Sequence, residues 1–269
     1  MTNNITIARV GGTSMNVNSY LVESKDSLVV VDGMLTLHDA QAVRRHIDER
    51  QKPLRGLIVT HAHPDHYAGA AEILQGQPNV PILATEPVAK MIERDDATKD
   101  RIIAPMIGAE WPQQRRFPNR IVSDRVELGD LVFAVRDLGP GESPADSLWS
   151  LNERTLFVGD LVYNGMHAYL ADGFHQEWLA TLDKLERELD PAVTLYVGHG
   201  EPTGKAAIAA QKEYILRFLD AVRRHRQSAP DARRSAVLRE MREYLPSEDL
   251  LFLMDLSITP VAEQMNASD

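Results

Sequence analysis

Apolar positions along the first half of the chain switch between two spacings, and the switching predicts strands and helices in alternation. Short aliphatic and β-branched runs at Thr6 to Val10, Ser19 to Val22 and Leu28 to Val31 read as strands, with turns at Gly11-Gly12 and Lys25-Asp26. Leu37 to Arg50 reads as an amphipathic helix. Leu57 to Thr60 is a strand, Tyr67 to Leu74 a helix, Pro81 to Ala84 a short strand and Val88 to Arg94 a helix. Residues 95–120 mix charge with Pro105, Pro112 and Pro118, and are expected to form a loop or a mobile insertion.

A second series comes next. Arg125 to Leu128 and Leu131 to Val135 form a hairpin around Gly129-Asp130, and Leu148 to Leu151 and Thr155 to Val158 form another that turns at Asn152-Glu153. Glu177 to Glu188 is a helix, with Leu179, Leu182, Leu185 and Leu189 on one face; Thr194 to Val197 is a last short strand and Lys205 to Arg226 a long helix. Two successive sheet-and-helix halves predict an α/β fold, a four-layer αββα sandwich with a site along one edge. Residues 1–226 form this domain, and residues 227–269 a C-terminal helical extension. In the extension, Ala236 to Tyr244 is helical and Leu250-Leu251-Phe252-Leu253-Met254 is strongly apolar. A helix packed on the core explains that run; a lid or a homodimer contact is the functional alternative.

Composition narrows the chemistry. Hydrophobic content of 43% and charged content of 25% are those of an ordinary globular protein. A net charge of −10 disfavours nucleic acid and anionic membrane surfaces as partners. With no cysteine in 269 residues, disulfides, thiolate ligands and a cysteine nucleophile are excluded, so any metal must be held by His, Asp and Glu. The start, Met1-Thr2-Asn3-Asn4-Ile5, has neither the basic residues nor the apolar run of a leader, and no stretch is long enough to span a bilayer. A cytoplasmic protein is expected.

The richest chemistry lies at the end of the fourth apolar run. Residues 58–66 read Ile58-Val59-Thr60-His61-Ala62-His63-Pro64-Asp65-His66. His61 and His63 are two apart, so in extended chain they share a face and can grip one ion. Pro64 then turns the chain and aims Asp65 and His66 at a neighbouring position, so the spacing fits two metals better than one. Imidazoles with carboxylates suit zinc, iron or manganese. The bland alternative, a surface histidine cluster, sits poorly with so dense a run of ligand types at a strand end. Two more buried-looking strands end in ligand types: Leu156-Phe157-Val158-Gly159 leads to Asp160, and Leu195-Tyr196-Val197-Gly198 to His199. The turn Gly139-Pro140-Gly141-Glu142-Ser143-Pro144 presents Glu142. No Gly-x-Ser-x-Gly elbow is present, so a serine nucleophile is not implied.

With these residues the chain resembles the metallo-β-lactamase superfamily from Asn16 to Pro202. The resemblance implies that Asp32-Gly33 supports the site from beneath. It also implies that His61 and His63 bind a first metal, that Asp65, His66 and His199 bind a second, and that Asp160 bridges both. The family's further histidine for the first metal is replaced here by Glu142. Direct ligation by Glu142 is the leading reading; a supporting role behind the ligands, or a weakly bound first metal, are the alternatives. A carboxylate there hardens the site, raises the pKa of bound water and moves the preference from zinc toward iron or manganese. Asp146 reads as a turn or cap residue, with a further partner at the site as the alternative.

Tyr163, His167 and Tyr169 come after Asp160 and are expected to line the pocket. His167 is either a substrate-binding or proton-donating group or a structural hydrogen-bonding one. His175 is expected to cap a helix or sit on the surface, and His38, His46 and His225 to be solvated. Trp149 and Trp178 are assigned to the core, and Arg223-Arg224-His225-Arg226 to a helix C-terminus. The expected protein is a metal-dependent hydrolase carrying two divalent ions, zinc first, with iron or manganese as alternatives. A metal-bridged hydroxide would cleave an ester, thioester, lactone or amide in a small molecule, and Asp65 would orient the water and handle its proton. A non-haem iron oxygenase on the same ligands and a non-catalytic metal-dependent binding protein are the rival readings.

Overall fold

The computed structural model describes residues 5–267; the first four residues of the N-terminal stretch lie outside it. Two six-stranded sheets face one another. The first runs in chain order through β1 (Thr6–Gly11), β2 (Asn18–Glu23), β3 (Leu28–Val31), β4 (Leu54–Ile58), β5 (Ile82–Ala84) and β6 (Arg120–Ile121). Hairpins join β1, β2 and β3 antiparallel, whereas β3 to β6 are parallel. Parallel pairing requires crossovers, here α1 (Leu37–Arg50), the short helices α2 (Pro64–Tyr67) and α3 (Ala70–Ile73), and α4 (Glu86–Ile107). The second sheet contains β7 (Arg125–Leu128), β8 (Leu131–Gly139), β9 (Asp146–Asn152), β10 (Thr155–Gly159), β11 (Thr194–Val197) and β12 (Thr203–Gly204). Only β10 and β11 pair in parallel there, connected by α5 (His175–Glu188).

Three apolar layers make this a four-layer α/β/β/α sandwich. Tyr20, Val22, Val31, Ile58, Phe133, Trp149 and Phe157 fill the space between the sheets. Each such side chain contributes about 1.5–3 kcal/mol by leaving water. Val43, Ile47, Tyr67, Ile73 and Val88 seal the helices of the first half to their sheet. On the other side, Trp178 and Leu182 pack with Ile215, Phe218 and Val222 of α6 (Ala206–His225). The same cluster takes in Val237 and Met241 of α7 (Pro230–Tyr244) and Met254, Ile258 and Val261 of α8 (Leu251–Ala267). The extension therefore shares its core with α5 and α6.

The loop expected over residues 95–120 is corrected. α4 continues through the charged run to Ile107, and irregular chain is confined to the stretch between its end and β6, around a single 3-10 turn at Gly108–Glu110. Only Val88 and Ile92 of α4 are fully buried, Ile103, Ala104 and Ile107 pack partly buried against Leu35, Ala68 and Trp111, and the charged run between them, residues 93–101, has no apolar periodicity to read. Polar anchors hold that charged run: the Tyr67 hydroxyl donates to Asp96 at 2.9 Å and the Trp111 indole to Asp100 at 2.6 Å. Pro105 falls near the helix's end, where the disruption it causes is small. The helix expected over Tyr67 to Leu74 is likewise broken into α2 and α3 at Gly69, where a Cβ would stand 2.4 Å from the Gly33 carbonyl.

Candidate metal centre

Four of the parallel strands deliver chemistry at their carboxyl ends, where open α/β sheets place their sites. β3 leads into Asp32, β4 into Thr60 and His61, β10 into Asp160, and β11 into Gly198 and His199. Bridges between the halves fix these tips against one another: Val17 pairs with His199 and His61 with Asp146. The Asn18 N–H donates to the Gly198 carbonyl at 2.8 Å, and the Ser147 N–H to the Thr60 carbonyl at 3.1 Å. Gly198 is required by space, because a Cβ would lie 1.8 Å from an Asp160 oxygen.

Two groups of ligand types converge. His61, His63, Glu142 and Asp160 form one, and Asp65, His66, Asp160 and His199 the other, each with its ligand atoms within 4.8 Å of one another. In the first, Glu142 Oε2 stands 3.0 Å from His63 Nδ1 and 3.6 Å from His61 Nε2, and Asp160 Oδ2 is 3.7 Å from His61 Nε2. In the second, Asp160 Oδ2 is 3.1 Å from His199 Nε2 and 3.4 Å from His66 Nε2, and Asp65 Oδ2 is 3.3 and 3.5 Å from the same two nitrogens. All are buried except His63, whose side chain is 12% exposed.

The donor set fits a pair of cations. His61 Nε2, His66 Nε2, His199 Nε2, Glu142 Oε2 and Asp160 Oδ1 are buried without a hydrogen-bond partner. Each such orphan costs roughly 1–3 kcal/mol. The three imidazole nitrogens and Glu142 Oε2 stand beside the other ligand atoms, and they make sense when a cation completes them. The protonation states agree. Burial, resisted by His63, pushes Glu142 up to about 7. Burial disfavours the charged form of His199, but the Asp160 and Asp65 carboxylates outweigh it and raise the ring to about 10. These are the protons a metal displaces on binding.

Neighbouring groups set the ring orientations. Asp32 Oδ2 lies 2.9 Å from His66 Nδ1, which leaves Nε2 for the site. Asp32 itself sits in the left-handed region at φ 67° and accepts from the Thr60 N–H at 2.9 Å and from its hydroxyl. Asp146 is the turn residue expected, accepting from the Ser143 N–H at 3.1 Å and hydroxyl at 3.0 Å, and so shaping the loop that presents Glu142. Tyr163 stacks on His199, and its hydroxyl lies 2.9 Å from Glu142 Oε1 and 3.1 Å from Asp160 Oδ2. Tyr169 packs edge-on against the His63 ring at 5.5 Å.

Other residues lie elsewhere. The structure does not bring His167 to the metal groups: its Nδ1 is 2.9 Å from the Tyr214 hydroxyl and its Nε2 3.0 Å from the Ser247 carbonyl. Both ring nitrogens are committed, so the catalytic reading gives way to the structural one. His175 is corrected too, being buried with Nε2 2.8 Å from the Leu170 carbonyl. His38 and His46 are exposed, while His225 pairs with Glu240 at 2.7 Å. Trp149 and Trp178 are core residues. Sequence reasoning misses two residues near the site. Asp172 lies 3.0 Å from His63 Nε2, and the Lys99 ammonium donates to the Ala62 carbonyl between the two histidines. Neither carries a sequence signal: Asp172 lies in an irregular segment, and Lys99 in the charged run of α4.

Comparison with known proteins agrees with this construction. The family model described as "Metallo-beta-lactamase superfamily" matches residues 12–199. Hydroxyacylglutathione hydrolase 2 of Vibrio vulnificus (strain YJ016) is 24% identical over 194 residues, which are 70% of this chain and 66% of that protein. The match thus spans just under two thirds of that relative's length. The hydroxyacylglutathione hydrolase of Hahella chejuensis is 29% identical over 168 residues, 60% of this chain and 54% of its own. Among solved structures, BLEG-1 B3 metallo-beta-lactamase superimposes with a TM-score of 0.61 at 16% identity, over 78% of this chain and 99% of that one. A beta-lactamase domain protein from Burkholderia ambifaria gives 0.68 at 17% identity, over 100% and 88%. The fold likeness therefore extends over the C-terminal helices as well. No helix among the described residues is long and apolar enough to cross a membrane. The family model alone covers well over half of the sequence, and the chain belongs to the metallo-beta-lactamase superfamily.

Proposed function

We propose that the protein is a metal-dependent hydrolase of small molecules that cleaves an ester, thioester, lactone or amide bond. The observation that carries the reading is the set of unpartnered buried nitrogens and oxygens converging from three strand tips and one turn. His61, His63, Glu142 and Asp160 would hold one divalent ion, and Asp65, His66, His199 and Asp160 the other. Ions so held supply Lewis-acid activation of water and of the scissile carbonyl. The chain's own groups do the rest. Asp65 remains a carboxylate, since His66 and His199 outweigh its burial and hold it well below the usual range. It accepts a hydrogen bond from the attacking water and orients it. Tyr163 keeps its proton, because burial beside Asp160 and Glu142 raises it well above the ordinary phenol value, and its O–H donates to these carboxylates and holds them in place. Both relatives named above are hydroxyacylglutathione hydrolases, which puts thioesters first among candidate substrates. Glu142 in place of an imidazole makes the donor set harder and favours iron or manganese more than an all-histidine group would.

The test is elemental analysis of protein purified without added metal, and then a panel of thioesters, lactones, esters and amides. Two equivalents of transition metal and turnover that chelation abolishes are expected. A protein that takes up no transition metal, or one whose hydrolysis is indifferent to chelation, would overturn the reading.

A further inference from the structure

Residues 163–174 run from the site to α5 without a helix or strand, yet they are tied down along their length. The ties come largely from the C-terminal extension. The His167 N–H donates to the Asp249 carbonyl at 3.1 Å, and its ring meets the Ser247 carbonyl. The Leu170 N–H donates to Ser257 Oγ at 2.8 Å, and Gln264 Nε2 donates to the Gly173 carbonyl at 3.0 Å. Ser257 is fully buried, and its hydroxyl in turn donates to the Leu253 carbonyl at 2.8 Å, so it is fixed within α8. Asp172 stands between the last two ties, with Oδ2 3.0 Å from His63 Nε2. The Tyr169 hydroxyl bonds to the same carboxylate.

We infer that Asp172 is a positioning residue for His63 and that the C-terminal extension is part of the metal site's support. The inference rests on the ligand assignment proposed above. A carboxylate on one ring nitrogen fixes the tautomer and orientation of an imidazole and raises the basicity of the other nitrogen. Here the proton belongs on Nε2, facing Asp172, and the lone pair on Nδ1, facing Glu142. α8 sets the place of Asp172 through Ser257 and Gln264. The expected consequence is selective: disturbing Asp172 weakens the first ion and spares the second.

The experiment uses the full chain and cobalt(II) alone as the probe, titrated against a competing chelator and monitored by visible absorption. The unaltered chain is expected to take up two ions. Asp172→Ala should weaken one of them by about 10–100-fold and change its absorption band, leaving the other in place. Asp172→Asn, which keeps shape and an acceptor oxygen, should fold normally and fall between the two. The double variant Ser257→Ala, Gln264→Ala should weaken the same ion by a smaller factor. Two ions bound with unaltered affinity and spectrum in both Asp172 variants would sink the inference while leaving the ligand assignment standing. An unaltered chain that binds no cobalt would bring down the ligand assignment, and this inference with it.

Discussion

The two metal groups share Asp160 but are buttressed from different parts of the molecule. His66, in the second group, leans on Asp32, a buried strand-end residue locked by the Thr60 N–H and hydroxyl inside the first sheet. His63, in the first group, leans on Asp172, whose side chain is 24% exposed and whose segment depends on helices attached late in the chain. The first group also carries Glu142 where the second has only imidazoles and aspartates. One position is thus built on the rigid sheet and the other on irregular chain. Orientation held by packed secondary structure is harder to disturb than orientation held by a loop.

The largest effect that would break this contrast is loss of the shared residue. Asp160→Ala should empty both groups and lower kcat/KM by at least about a thousandfold, roughly 4 kcal/mol of barrier. Metal content and turnover measured together check it, and an active variant with bound metal would contradict the bridging role. Next comes Asp32→Asn, which should weaken the ion at His66 by roughly 10–100-fold and spare the one at His63. Isothermal titration with two resolved binding events would show which event moves. Glu142→His sharpens the comparison instead: both ions stay, and competition between zinc and manganese shifts toward zinc. Unchanged metal preference and kinetics would remove Glu142 from direct ligation.

The smallest effect concerns neither group. Burial raises the Asp39 carboxyl, but the Thr13 and Ser14 N–H groups and the Thr13 hydroxyl outweigh it and hold the pKa below normal. A folded value below the unfolded one means the stabilisation is complete above about pH 4 and is lost as pH falls through the folded value. Asp39→Asn should therefore cost about 1–2 kcal/mol at pH 7, with the deficit shrinking below pH ~4 and metal stoichiometry unchanged. Thermal unfolding at the two pH values measures it.

Those contrasts also mark what can be read from sequence. The strands ending at His61, Asp160 and His199 announce themselves because each is a short buried run closed by a ligand type, and the two-sheet layering is implied by the order of such runs. α4 is hidden because its charged run, residues 93–101, shows no apolar periodicity, and the packing of Ile103 and Ile107 comes only after it. Asp172 is hidden for a related reason. What gives it a role is a hydrogen bond from Leu170 to a serine 87 residues away, and no local pattern encodes that. His175 reads as a surface cap because nothing in its neighbourhood states that its ring turns inward to Leu170.

The reach from Leu170 to Ser257 has a consequence for biosynthesis. A ribosome adding about 5–20 residues per second needs roughly 4–17 s to travel from one to the other. From His199 onward every residue of both ligand groups has been made, while the clasp that steadies Asp172 has not. The nascent protein thus passes through a stage in which one ligand group has its scaffold and the other still awaits α8.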